Sequence, residues 1–105
     1  MNHSSLFVFA RITPKPEYLS DARSAIFGIV SQTQSEPGCR QFSLLEGLDD
    51  GCLYLYEEWE SQAALADHYQ QPYTKSVFEC YEQWLSQPVE VIKMRKPMAN
   101  VYSAN

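Results

Sequence analysis

The apolar positions open with a run rather than an alternation. Residues 6–13, LFVFARIT, begin with five apolar residues in succession, which predicts a strand covered on both faces. Prolines at positions 14 and 16 end it, because proline cannot donate to a strand ladder. From about 17 to 34 the period changes. Leu19, Ala22, Ile26, Ile29, Val30 and Thr33 recur at helical spacing and make one apolar stripe. Pro16 suits a first helical turn, Glu17 and Asp21 lie at the end favoured by the helix dipole, and EPG at 36–38 stops the helix.

A second strand is predicted over 39–47, with Phe42 and Leu44 on one face, then a hairpin turn at LDDG, 48–51. The third strand, 52–60, reads CLYLYEEWE. Ser61 caps a short helix, QAALADHYQ, which Pro72 breaks. A further helix carries Val77, Phe78, Tyr81, Trp84 and Leu85, and Gln87-Pro88 ends it. The last strand is predicted over 89–96, with an irregular tail after Pro97.

The order is β-α-β-β-α-α-β. One hairpin and two helical crossovers predict a single α+β domain over 1–105, with its core at about 6–96. The architecture is a ferredoxin-like plait, a four-stranded antiparallel sheet with helices on one face. Such a sheet should alternate apolar and polar residues. These strands do not: the third sets Leu53 and Leu55 against Tyr54 and Tyr56. The open face therefore needs a cover, and a second copy packed face to face is the simplest one. The expectation is a homodimer, a dimeric α/β barrel.

Composition narrows the classes. A chain of 105 residues makes one compact domain. The net charge is −5 and the eight Lys and Arg residues form no long run, which argues against nucleic-acid binding. Cys39, Cys52 and Cys80 are odd in number, without a C-x-x-C, beside two histidines. Free thiols in a reducing cytoplasm are expected, not a disulfide framework or a zinc site. The apolar run at 6–10 is too short for a signal or membrane segment.

The stretches ARITPKPE (10–17), SEPGC (35–39), YEEWES (56–61) and ADHYQQP (66–72) resemble the antibiotic biosynthesis monooxygenase (ABM) family, its quinol-monooxygenase-like members most. The resemblance spans about 6–94. It implies a dimeric α+β barrel. It also implies oxidation of electron-rich phenols, quinols or anthrones by molecular oxygen, with no flavin, haem or metal. Other members degrade haem or isomerise small signalling molecules, so the fold alone does not fix the reaction. The haem branch implies an asparagine in the first strand and an iron-binding histidine in the last helix. Ala10 and Phe78 stand there instead. Trp59 matches that branch's tryptophan, but haem chemistry requires the missing proximal ligand.

Glu57 and Trp59 share one strand face by the period of two. A carboxylate beside an indole in an apolar lining has its charged form disfavoured, which suits proton abstraction from a phenol. The competing reading is a structural carboxylate paired with Arg11, Arg40 or Lys93. His68 lies three residues after Leu65 and four after Ala64, beside the apolar stripe of its helix, where it can reach the layer above the sheet. A base titrating near neutrality suits deprotonation of a substrate to an electron-rich anion. The resemblance places a histidine at this position. Many relatives carry a second after the proline, where this chain has Tyr73, whose hydroxyl could bond a substrate oxygen. Trp59, Tyr73, Tyr69 and Phe42 are expected as pocket walls and Arg11 as an anion anchor or a surface salt bridge. Cys39, with no neighbouring base, is expected to be structural.

The reading that results is cofactor-independent oxygenation of a small phenolic or quinol substrate. His68 is expected as base or orienter, Glu57 as its partner or as a hydrogen-bond acceptor, and dioxygen as the second substrate. The alternatives are a non-oxidative isomerase or signal-degrading enzyme of the same fold, and a ligand-binding dimer without catalysis.

Overall fold

A computed structural model of the chain describes residues 5–97. The expected irregular tail after Pro97 lies outside them. Four strands are present: β1 (Leu6–Ile12), β2 (Cys39–Glu46), β3 (Leu53–Trp59) and β4 (Glu90–Met94). They form one antiparallel sheet in the order β2-β3-β1-β4. Three α-helices, α1 (Leu19–Gln34), α2 (Gln62–Tyr69) and α3 (Pro72–Trp84), complete the expected order. The plait read from the sequence is the fold observed.

Register decides what each face carries. Val8, Ala10 and Ile12 of β1 point to the helices and are buried, as are Leu53, Leu55, Glu57 and Trp59 of β3. Ala22 and Ile26 of α1, Leu65 of α2 and Val77 of α3 close over them. Pairing puts Phe9 opposite both Tyr56 and Ile92, and Phe7 opposite Met94. Opposed residues share a face, so the side away from the helices carries Phe7, Phe9, Tyr54, Tyr56, Ile92 and Met94. Ile92 is 53% exposed and Met94 39%.

Two junctions build the ground beneath the site. At the end of α1, Pro37 and Gly38 turn the chain, with the Cys39 amide donating to the Glu36 carbonyl at 3.1 Å. Gly38 has φ +87°, and an added Cβ would lie 2.7 Å from Ala64 Cβ. Only glycine meets both demands. Next to the turn, the β2–β3 register slips between Cys39 and Gln41, a bulge that bends the sheet beside the pocket. Ser61 caps α2, its Oγ accepting from the Ala64 amide at 3.1 Å. His68 lies three positions after Leu65, so both face inward and are buried.

The predicted first helix begins differently. A 3₁₀ turn at Pro16–Tyr18 precedes α1, because the Lys15 amide is tied to the Trp84 carbonyl at 2.7 Å and Pro14 bridges to Leu85. The last strand is shorter than expected.

Candidate active site

Between the sheet and the helices lies a cavity of about 50 Å³. Its walls are apolar: Val8, Ala10, Ile12 and Leu55 from the sheet, Ile26 and Ile29 from α1, Phe42 from β2 and Val77 from α3. Into this lining project Glu57, His68, Thr74, Tyr69 and Tyr81. The space is about a third of the ~150 Å³ that holds a benzene. A surface groove of about 350 Å³ adjoins it and shares Phe78, Tyr81 and Val89 with it. Phe78, 43% exposed, stands at that junction.

Glu57 occupies a position that the alternation of β3 reserves for an apolar residue, and it is 5% exposed. Its carboxylate accepts from Trp59 Nε1 at 2.8 Å. Burial pushes its pKa up to about 7, with a contribution from the charge of Glu36, while the indole bond pulls the other way. Near neutrality it exchanges a proton readily. None of the cations proposed as its partners reaches it. Arg11 pairs with Glu90 at 2.8 Å and Arg40 donates to Ser5 Oγ at 2.7 Å. Lys93 is exposed on β4.

His68, 3% exposed, is held on three sides by rings. Its centroid lies 4.9 Å from Trp59, 5.5 Å from Phe42 and 5.8 Å from Tyr69. Its Nδ1 meets Glu36 Oε2 at 2.9 Å, with Thr74 Oγ1 at 3.5 Å. The Tyr73 hydroxyl donates to the same Glu36 oxygen. Tyr69, Phe78 and Tyr81 form an aromatic row with 5.7 Å between successive centroids. Burial and the charge of Glu57 raise both tyrosine pKa values, so these phenols stay neutral and can donate hydrogen bonds.

The sequence-predicted residues separate into two groups. Glu57, His68, Tyr69 and Phe42 converge on one cavity. Trp59 shares their face, yet it is fully buried behind Glu57 and His68 and is no wall. The Tyr73 hydroxyl is committed to Glu36 and to the Gln32 carbonyl at 3.4 Å, so it does not line the cavity. Arg11 lies on the opposite face of the sheet, and of the two roles expected for it the surface salt bridge is the one found. Glu36, which the sequence reading passed over as part of a helix stop, is the residue that joins His68 to Tyr73. Thr74 was also missed. The Cys39 thiol is pushed up to about 11, first by burial and then by the charges of Glu36 and Glu57. It stays protonated and unreactive, in line with a structural role.

Ala10 and Phe78 give the cavity a methyl and a phenyl where the haem-degrading pattern has an asparagine and an iron ligand. These walls do not fit a haem. Among the described residues, no group of three His, Cys, Asp or Glu side chains is placed to hold a metal ion, and no helix is long and apolar enough to cross a membrane.

Comparison with known proteins decides the lineage. Residues 5–79 match the family model described as antibiotic biosynthesis monooxygenase. The chain belongs to this family. A Mycobacterium tuberculosis protein named "Putative monooxygenase Rv0793" is 33% identical over 88 residues, covering 84% of this chain and 87% of that one. Its solved structure superposes with a TM-score of 0.84 at 32% identity, over 90% of this chain and 96% of that chain. A crystal structure titled as an antibiotic biosynthesis monooxygenase gives 0.82 at 26% identity, over 89% and 99%. A Pseudomonas aeruginosa structure, at 24% identity and TM-score 0.83 over 90% and 96%, shares the fold. This ABM chain thus keeps the family fold over nearly all its length, with its titratable pair inside the plait.

Proposed function

We propose that this ABM protein is a homodimeric cytoplasmic monooxygenase that oxidises a small phenolic or quinol-type aromatic with dioxygen, without flavin, haem or metal. The observation that carries the reading is the convergence of Glu57, poised near pH 7, and His68 on one largely apolar cavity. An apolar pocket with convergent polar groups and a perturbed carboxylate marks a reactive site.

The chemistry follows from the groups present. His68 removes a proton from the substrate hydroxyl, and Glu57 accepts or returns a second proton. The electron-rich anion, confined in apolar surroundings, passes an electron to dioxygen, and the two radicals join as a carbon-bound peroxide. The peroxide takes up a proton, its O–O bond breaks, and the ring carbon loses its hydrogen. A phenol and O₂ become a quinone and water, so no external reductant is required. Neutral Tyr69 and Tyr81 can bond the substrate oxygens. The ring reaches the site by way of the groove beside Phe78, which must swing aside because the closed cavity is too small.

The second subunit covers the open face. Phe7, Phe9, Tyr54, Tyr56, Ile92 and Met94 give it a largely apolar surface beside the Arg11–Glu90 pair, and monomeric proteins rarely leave a large contiguous apolar patch in water. Three free thiols suit a reducing compartment.

Oxygen uptake measured with a panel of quinols and anthrones tests the activity. The expected result is one O₂ consumed per product, one atom of ¹⁸O₂ in the product, and a loss of ~100-fold or more in rate for His68→Ala. A product of unchanged mass would make the protein an isomerase, and tight binding without turnover would make it a ligand-binding dimer. Sedimentation that finds a stable monomer at micromolar concentration overturns the dimer.

A further inference from the structure

We propose that Glu36 is the positioning residue of this site: its carboxylate holds His68 in the tautomer protonated at Nδ1, so that Nε2 is the nitrogen presented as the base. The proposal rests on the base role assigned to His68 and extends it to a residue outside the cavity lining.

Glu36 stands where α1 ends and the chain turns through Pro37 and Gly38 into β2. Its side chain is 7% exposed and that of His68 4%. The groups around it come from every element packed there: His68 on α2, Tyr73 on α3, Cys39 on β2 and Glu57 on β3. None is a lysine or arginine. Burying a carboxylate without a permanent cation is costly. The two donors that reach Glu36 Oε2 are His68 Nδ1 at 2.9 Å and the Tyr73 hydroxyl. A carboxylate can only accept, so the 2.9 Å contact requires the hydrogen to sit on Nδ1. Neutral histidine in water prefers the opposite tautomer, and the fold therefore selects the less common one. Among the described residues no side chain bonds Nε2. When Nε2 takes a proton, the imidazolium forms against a buried negative charge already in place, and no group has to move. This is how a second residue raises the competence of a general base. Tyr73 shares the carboxylate without supplying a competing charge.

Two-bond ¹H–¹⁵N spectra of the ¹⁵N-labelled protein test the assignment. They are recorded at about pH 9, above the ordinary imidazole range, with His3→Gln leaving one histidine to observe. The expected spectrum has a protonated Nδ1 and a bare Nε2. In Glu36→Gln the amide donates to Nδ1 as readily as its carbonyl accepts from it, so the preference is lost. Turnover of an aromatic substrate then falls ~10-fold or more in kcat, out of the ~10²–10⁴ that a positioned base supplies, while KM stays within ~2-fold. Tyr73→Phe keeps the charge on Glu36 and therefore keeps the Nδ1–H tautomer. A bare Nδ1 in the wild-type protein overturns the proposal. So does an unchanged tautomer in Glu36→Gln, or a loss in Tyr73→Phe equal to that in Glu36→Gln, which would mark a corner held by packing alone. The spectra need no substrate. If no aromatic is oxidised yet the tautomer depends on Glu36, the oxygenase reading fails and the clamp stands.

Discussion

Glu57 gives the fold a pH dependence that one substitution isolates. Its pKa is about 7 in the folded chain against an ordinary 4.5. Below 4.5 the carboxyl is protonated in both folded and unfolded chains and its burial carries no ionic cost. Between 4.5 and 7 the unfolded chain has released the proton while the folded chain retains it. Stability therefore falls as pH rises through this window and levels off above 7, because the unfolded state binds fewer protons. At ~1.36 kcal/mol per pH unit, the loss of stability amounts to ~3 kcal/mol at the plateau, of which ~2.5 kcal/mol appears between pH 5 and pH 8. Glu57→Gln can still accept from the Trp59 indole through its carbonyl, but it cannot ionise. Its own cost, an NH₂ group buried in an apolar wall, is ~1–3 kcal/mol and independent of pH. Urea unfolding of both proteins at pH 5 and pH 8, at one protein concentration, separates the terms. Relative to wild type, the variant is expected to gain ~2.5 kcal/mol on going from pH 5 to pH 8, with unchanged m-values. All other titrating groups cancel in that difference. A gap between the two proteins that is the same at both pH values, within ~0.5 kcal/mol, would refute the claim that Glu57 is desolvated and near neutrality.

Two further perturbations probe the geometry around the cavity. Gly38→Ala places a Cβ 2.7 Å from Ala64 at a φ of +87° and is expected to cost ~2 kcal/mol in thermal or urea unfolding; a change below ~0.5 kcal/mol would mean that the turn relaxes freely. Phe78→Ala opens the junction between the cavity and the adjoining groove. It is expected to lower KM for two- and three-ring substrates more than for one-ring substrates, and identical KM ratios for the two classes would show that access lies elsewhere.

The elements were legible to within a residue or two because punctuation is strong. Prolines and glycines fall at the ends of most elements, and Ser61 is a cap recognisable from position alone. Half of the site was legible for the same local reasons. Glu57 breaks the apolar alternation Leu53, Leu55, Trp59 on one strand face, and His68 sits one helical turn from Leu65. Arg11 was harder to place because both faces of β1 are apolar. Alternation then has no contrast, and only the register against β3 and β4 shows that Arg11 goes with Phe7 and Phe9 rather than with Ala10 and Ile12. Tyr73 and Glu36 were harder still. They are 37 residues apart, and Glu36 and His68 are 32 apart. No periodicity within an element reports a contact made where three elements end.

The same features bind the site to the open face. Glu57 and Glu36 are buried carboxylates in a chain of 105 residues, a size that buries only about two-thirds of its unfolded surface. A penalty of ~3 kcal/mol at one of them is a large share of the ~5–15 kcal/mol that holds such a domain together. The covered face cannot offset it by filling, because the residues that would do so are the ones that leave the cavity empty. The uncovered face can. Its aromatic and aliphatic side chains are only partly buried in the single chain, and burying the remainder contributes ~25 cal/mol per Å². On this reasoning a substitution that keeps the open face from being covered by the proposed second subunit, such as Phe9→Arg, lowers the stability of a protein whose cavity it never touches. The deficit narrows when Glu57→Gln is added at pH 8. If the two substitutions instead add independently at every pH, the cavity and the open face are energetically separate, and the argument that one depends on the other is wrong.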